Sequence, residues 1–101
     1  MVQKPRINIQ TDKVTDFCRR HHIAKLMLFG SVLRDDFGPQ SDIDVLVEFE
    51  SGTRVGLRFF TIERELSELL GRKVDLYTRG FLSKYFRQEV LAEAQVQYDA
   101  A

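Results

Sequence analysis

One cysteine, two prolines, no tryptophan and no surplus of either charge mark this chain first by what it has little of. The single cysteine, Cys18, excludes an internal disulfide framework and agrees with a reducing compartment. With only Pro5 and Pro39, and no low-complexity or Ser-rich run, nothing in the sequence reads as a linker. The 101 residues are therefore expected to form a single domain, 1–101, with room for one modest core. Fifteen basic residues balance fifteen acidic ones, which argues against long-range attraction to nucleic acid or an anionic membrane and leaves only a local basic patch open. No apolar stretch approaches the roughly 20 residues that cross a bilayer. The opening MVQKPRINIQTDK lacks the apolar centre of a secretory signal. What remains, 44% hydrophobic and 30% charged, is an ordinary globular balance, and the expectation is a cytoplasmic one-domain protein.

Periodicity supplies the elements. A first helix is expected from Thr11 as N-cap, with Asp12 in its first turn and Val14, Phe17, Cys18 and His21 on one face. Ile23 to Phe29 reads as a strand stopped by Gly30, with a short helix after Ser31 and a Gly38-Pro39 turn beyond it. Asp42 to Phe49 is a second strand. Val55, Phe59, Ile62, Leu66, Leu69 and Leu70 form a helical stripe that Gly71 terminates. Lys73 to Thr78 is a third strand, and Ser83 caps a last helix with Phe86, Val90, Leu91 and Ala94 inward. The tail VQYDA is either an edge strand or frayed. The pattern is an α/β (α+β) domain: a small mixed sheet with helices packed on one face.

The chemistry concentrates in GSVLRDDFGPQSDID, residues 30–44. Carboxylates are poor strand formers, yet Asp42 and Asp44 stand at the mouth of the second apolar strand. Side chains at i and i+2 share a strand face, so Asp42 and Asp44 point opposite to Ile43, Val45 and Val47. In the third strand Asp75 points opposite to Val74 and Leu76. If both apolar sides face one helical layer, the three carboxylates emerge together. Two bare charges at ~4 Å repel by about 4 kcal/mol at an effective dielectric near 20, so such a group takes up protons or a cation. Hard oxygen donors suit Mg²⁺ shared with substrate phosphates, and the twelve-residue pattern of a calcium loop is missing. The plainer alternative makes Asp42 a turn residue and leaves Asp44 and Asp75 solvated on an open sheet. Gly30 after a strand lets backbone N–H groups approach an anion, and the Ser31 hydroxyl can donate to a phosphate oxygen, although the pair is equally an ordinary turn. Taken together, the elements describe a site for a nucleoside triphosphate with Mg²⁺.

Gly30-Ser31, ten intervening residues, Asp42-Ile43-Asp44 and a later strand bearing Asp75 resemble the signature of the nucleotidyltransferase superfamily related to DNA polymerase beta. The similarity is closest to minimal nucleotidyltransferases, short antitoxins that act beside HEPN-domain toxins, and it spans nearly the whole chain. Arg34 matches an arginine common after the Gly-Ser pair, whereas Leu33 and Asp35 depart from the small residues usual there. The resemblance implies transfer of AMP from ATP. Asp42, Asp44 and Asp75 would be the catalytic residues and would hold two Mg²⁺ ions, with Asp75 also helping to deprotonate the attacking hydroxyl. Gly30 and Ser31, supported by Arg34, would bind the nucleotide. The implied acceptor is a tyrosine of a partner HEPN ribonuclease toxin, with which the chain would form a hetero-oligomer. Two other functions compete: an antitoxin that neutralises by binding alone, and nucleotidyl transfer to RNA or a small molecule. The lack of a basic stripe argues against RNA as the main ligand.

Other residues read as structural. His21 and His22 point about 100° apart on a helix, a poor metal pair. Cys18 belongs to the core. Phe60 is either stripe-edge packing or a partner contact, and Tyr77 either borders the nucleotide site or packs across strands. Arg79, Lys84 and Arg87 read as a solvated face, with a small basic patch as the alternative.

Overall fold

A computed structural model describes residues 7–82 and 84–100, with side chains other than those of Lys84 and Tyr85. In chain order the elements are α1 (Thr11–Arg20), β1 (Ile23–Phe29), β2 (Ile43–Phe49), α2 (Arg58–Leu70), β3 (Val74–Tyr77), α3 (Lys84–Glu93) and β4 (Gln95–Asp99). Single 3₁₀ turns lie at Gly30–Leu33 and Arg79–Phe81. The sheet has the order β3-β2-β1-β4. β1 is antiparallel to both β2 and β4, whereas β2 and β3 run parallel through the α2 crossover. The tail is thus an edge strand.

Period-two alternation divides the sheet's two faces. Ile23, Leu26, Leu28, Ile43, Val45, Val47, Val74 and Leu76 turn toward α1 and α2, where they meet Val14, Phe17, Cys18, Ile62 and Leu66. The opposite face carries Met27, Phe29 and Leu46, and there α3 covers it through Val90, with Leu82, Leu91 and Ala94 alongside. Helices expected on one face therefore occupy both: α1 and α2 on one, α3 on the other. The physical reason is legible in the runs LMLF and VLV, which are apolar at every position and so bury both sides of their strands.

Helix ends follow local chemistry with one correction. Asp12 in the first turn and Arg19 and Arg20 in the last complement the α1 dipole. Thr11 is already helical, and Gln10, extended at φ −86° and ψ 93°, holds the N-cap position without a side-chain hydrogen bond. Gly71 ends α2 in the left-handed region at φ +71°, as its position after Leu70 implied. Val55 precedes α2 but still packs against the core. Phe86, expected inward on α3, is 47% exposed, while the capping role assigned to Ser83 lies outside the described residues. His21 closes α1: its Nε2 lies 2.6 Å from Glu65 Oε2 and its ring 4.7 Å from that of Phe17, tying α1 to α2. Cys18 is fully buried, and burial pushes its thiol up to about 12, so it is inert core.

Leu66, fully buried between α2 and the sheet, sets the core's tolerance. Leu66→Ala is expected to cost roughly 2–5 kcal/mol of unfolding free energy, read as a lower urea midpoint with an unchanged slope.

Candidate active site

The parallel register decides the site. Asp44 on β2 is the direct partner of Asp75 on β3, so the two carboxylates leave neighbouring strands on the same face, about 4.8 Å apart in backbone. Asp42 lies one residue before β2 and shares that face, close enough for its charge to act on both Asp44 and Asp75. Lys73 Nζ stands 3.6 Å from Asp42 Oδ2 and offsets part of the charge. The convergence expected from strand parity is present.

Gly30 meets these carboxylates from β1. Its neighbour Phe29 pairs with Asp44, and Gly30 itself turns at φ +77° into the 3₁₀ turn. A Cβ placed there would strike Asp44 Oδ2 and lie 3.3 Å from its Cγ. Only glycine allows both the left-handed backbone and this close approach. Ser31 is the next residue, and its carbonyl accepts the Arg34 N–H at 2.9 Å. The helix expected after Ser31 is one 3₁₀ turn, four residues long, so it contributes little dipole. Leu33 is buried in the core.

Electrostatics reflect the crowding. Burial, followed by the charges of Asp75 and Asp42, pushes the Asp44 carboxyl up to about 6, while the Arg34 guanidinium pulls the other way. Asp75 is also raised, first by burial and then by Asp42, with Lys73 opposing. Tyr77, two residues beyond Asp75 on its face, has its phenol pushed up by burial and then by Asp44. Its ring also packs edge-on against Phe29 at 5.4 Å, so it both borders the site and packs across strands.

Four residues that the sequence did not single out complete the surroundings. Glu93, in the last turn of α3, pairs with Arg34 at 3.1 Å and holds that guanidinium beside Asp44. Lys73 balances Asp42, and Arg72 donates to the carbonyls of Gly38 and Ser41 in the loop leading to Asp42. Glu63 of α2 accepts the Leu76 N–H at 2.8 Å, satisfying a donor on the β3 edge. Partners 59 or 31 positions apart carry no local signal. Of the basic residues, Arg79 pairs with Glu48 at 3.3 Å and Arg87 donates to the Leu82 carbonyl, whereas the Lys84 side chain lies outside the described residues. Phe60 is 65% exposed, with its ring perpendicular to that of Phe59.

The donor set fits a hard divalent cation, being anionic, all-oxygen and strained by its own repulsion. As the side chains stand, no group of three or more Asp, Glu, His or Cys residues among the described residues is placed to hold a metal ion.

A mixed four-stranded sheet with a glycine turn at the end of one strand and paired carboxylates on the next two is a nucleotidyltransferase-like fold. Residues 12–96 match the nucleotidyltransferase domain family, and the chain belongs to it: an enzyme of the nucleotidyltransferase class, acting on a nucleotide. It is 33% identical to the protein adenylyltransferase MntA of Thermococcus cleftensis over 85% of this chain and 86% of that one. It is also similar to a solved chain provisionally described as a minimal nucleotidyltransferase, with a TM-score of 0.70, 35% identity, and coverage of 84% and 86% of the two chains. The fold is shared, at 21% identity and a TM-score of 0.61, with a solved complex of a tri-AMPylated Shewanella oneidensis HEPN toxin and its MNT antitoxin, over 88% of this chain and 69% of that one. No described helix is long and apolar enough to cross a membrane.

Two outcomes follow from the crowding. Gly30→Ala is expected to lose about 1 kcal/mol or more from the left-handed backbone alone, and further stability from displacing Asp44, measured by urea unfolding. Asp44 has a raised folded-state pKa, so the stability it contributes is complete below its ordinary value of 3.8 and is lost as pH rises through about 6. Asp44→Asn should therefore raise Tm by several degrees at pH 8 and leave it nearly unchanged at pH 3.5, read by calorimetry at both pH values.

Proposed function

We propose that the chain is a protein adenylyltransferase that moves AMP from ATP onto a hydroxyl of a partner HEPN toxin, most simply a tyrosine, and thereby acts as its antitoxin. The observation carrying this reading is the register pair Asp44–Asp75 with Gly30 against it: anionic donors packed beside a glycine turn. The similarity to MntA and the AMP found on the toxin in the related complex support the acceptor class. The whole chain is read as one nucleotidyltransferase domain.

In this reading Asp42, Asp44 and Asp75 hold Mg²⁺, two ions by analogy with the superfamily. The metal supplies Lewis-acid neutralisation of the triphosphate and of the departing pyrophosphate. Gly30 and Ser31 present backbone N–H and hydroxyl donors to phosphate oxygens. Arg34, restrained by Glu93, adds a positive charge at the edge of the site. The acceptor oxygen attacks the α-phosphorus, the bond to the β-phosphate oxygen breaks, and the acceptor proton passes to the Asp75 carboxylate. Positioning and fixed charge supply most of the acceleration.

A second reading, neutralisation by docking alone, draws on the exposed Leu57, Phe60 and Phe81 near Phe59, an apolar surface able to take a partner without chemistry. The two separate cleanly. With radiolabelled ATP, Mg²⁺ and the toxin encoded beside this chain, label is expected on the toxin and at least 100-fold less with Asp44→Asn. Toxin inhibition that persists undiminished in Asp42→Asn and Asp44→Asn would favour docking instead.

A further inference from the structure

Asp42 is the one of the three carboxylates whose backbone lies outside the strand ladder, because it precedes β2, although its side chain pairs with Lys73. Its position depends on its neighbours. On one side, the Ile43 N–H bonds to the Lys73 carbonyl at 2.9 Å. On the other stands the loop through Gly38, Pro39 and Gln40, and Arg72 grips it. One guanidinium nitrogen donates to the carbonyls of both Gly38 and Ser41, the latter at 2.7 Å, and the guanidinium carbon lies 4.4 Å from the centre of the Phe37 ring. The loop closes on itself beneath that grip: the Gly38 N–H donates to Ser41 Oγ at 3.1 Å, and the Ser41 N–H to the Gly38 carbonyl at 3.0 Å. Arg72 in turn is fixed just after the left-handed Gly71 by its own N–H, bonded to the Ser67 carbonyl at 3.2 Å.

We propose that Arg72 is a positioning residue for the active site: by latching the loop 37–41 to the end of α2, it sets where the Asp42 carboxylate stands relative to Asp44 and Asp75. Arg72 touches neither nucleotide nor acceptor in this scheme. The two protons of its one donating nitrogen and the flat guanidinium face suit two carbonyls and an aromatic ring together, a combination lysine matches only in part. The inference rests on the proposed metal role of Asp42. Without the latch the loop gains freedom, and a cation must order Asp42 when it binds, which weakens its affinity.

The test uses the full chain and Mn²⁺ alone as probe, its dissociation constant read by electron paramagnetic resonance without nucleotide. The half-saturating Mg²⁺ concentration of AMP transfer is measured beside it. Arg72→Met keeps a stem over Phe37 but removes the guanidinium; it is expected to weaken Mn²⁺ binding and raise half-saturating Mg²⁺ by about fivefold, with kcat at saturating Mg²⁺ within about twofold. Arg72→Lys should recover at least half of the lost affinity. A merely structural arginine would lower the urea midpoint without moving the affinity of the folded protein, so a change under threefold, or no recovery in Arg72→Lys, overturns the proposal. Asp42→Asn in parallel separates the two ideas. If it leaves Mn²⁺ binding unmoved, the metal assignment of Asp42 fails and the role of Arg72 with it. If it abolishes binding while Arg72→Met does not weaken it, only the latch is lost.

Discussion

Repulsion among three carboxylates is the constraint around which the molecule is arranged. The sheet pleat and the parallel register of β2 and β3 force Asp44 and Asp75 onto one face, and Asp42 joins them from the adjoining loop. Nothing in the core gains from this. The apolar halves of the same strands would pack equally well with neutral residues opposite, and the raised proton affinity of Asp44, caused first by burial and then by the charges of Asp75 and Asp42, reflects what this placement costs. Folded proteins keep such local strain where a ligand relieves it. The surroundings fit that logic, with Lys73 and Arg34 each offsetting part of the charge from the edge.

The rest of the fold supplies rigidity to that cluster. Two cores lie on opposite sides of the sheet, so β1 and β2 are clamped from both faces and the register cannot slip without exposing one of them. The Arg34–Glu93 pair joins the turn after β1 to the end of α3, and the His21–Glu65 pair joins α1 to α2. An exposed ion pair contributes little energy, so Glu93 is better understood as orienting Arg34 than as holding the fold together.

Much of this could be read from the sequence, because most of its signals are local. Strand parity at Asp42, Asp44 and Asp75 needed only period-two reasoning, and the helical stripe from Val55 to Leu70 with Gly71 behind it marked α2, beginning three residues too early. Parity did not give the strand order, and convergence became definite only with the pairing of Asp44 and Asp75. The position of α3 was missed although its cue was present: Met27, Phe29 and Leu46 are apolar on the carboxylate side, a sign of burial on both faces. Thr11 was misread because capping depends on backbone angles that composition does not reveal. Arg72, Glu63 and Glu93 were invisible because their partners are distant in sequence and charged residues on helix faces are usually solvated.

The βαβ crossover carries one last implication. Asp44 belongs to its first strand, Asp42 immediately precedes that strand, and Asp75 belongs to the second, with all of α2 between them. Closing so long a loop is entropically costly and comes before any contact across it is gained. A chain that has collapsed but not yet docked β3 beside β2 owns only part of the acidic cluster. The complete acidic cluster is therefore a property of the docked unit and of no smaller part of the chain.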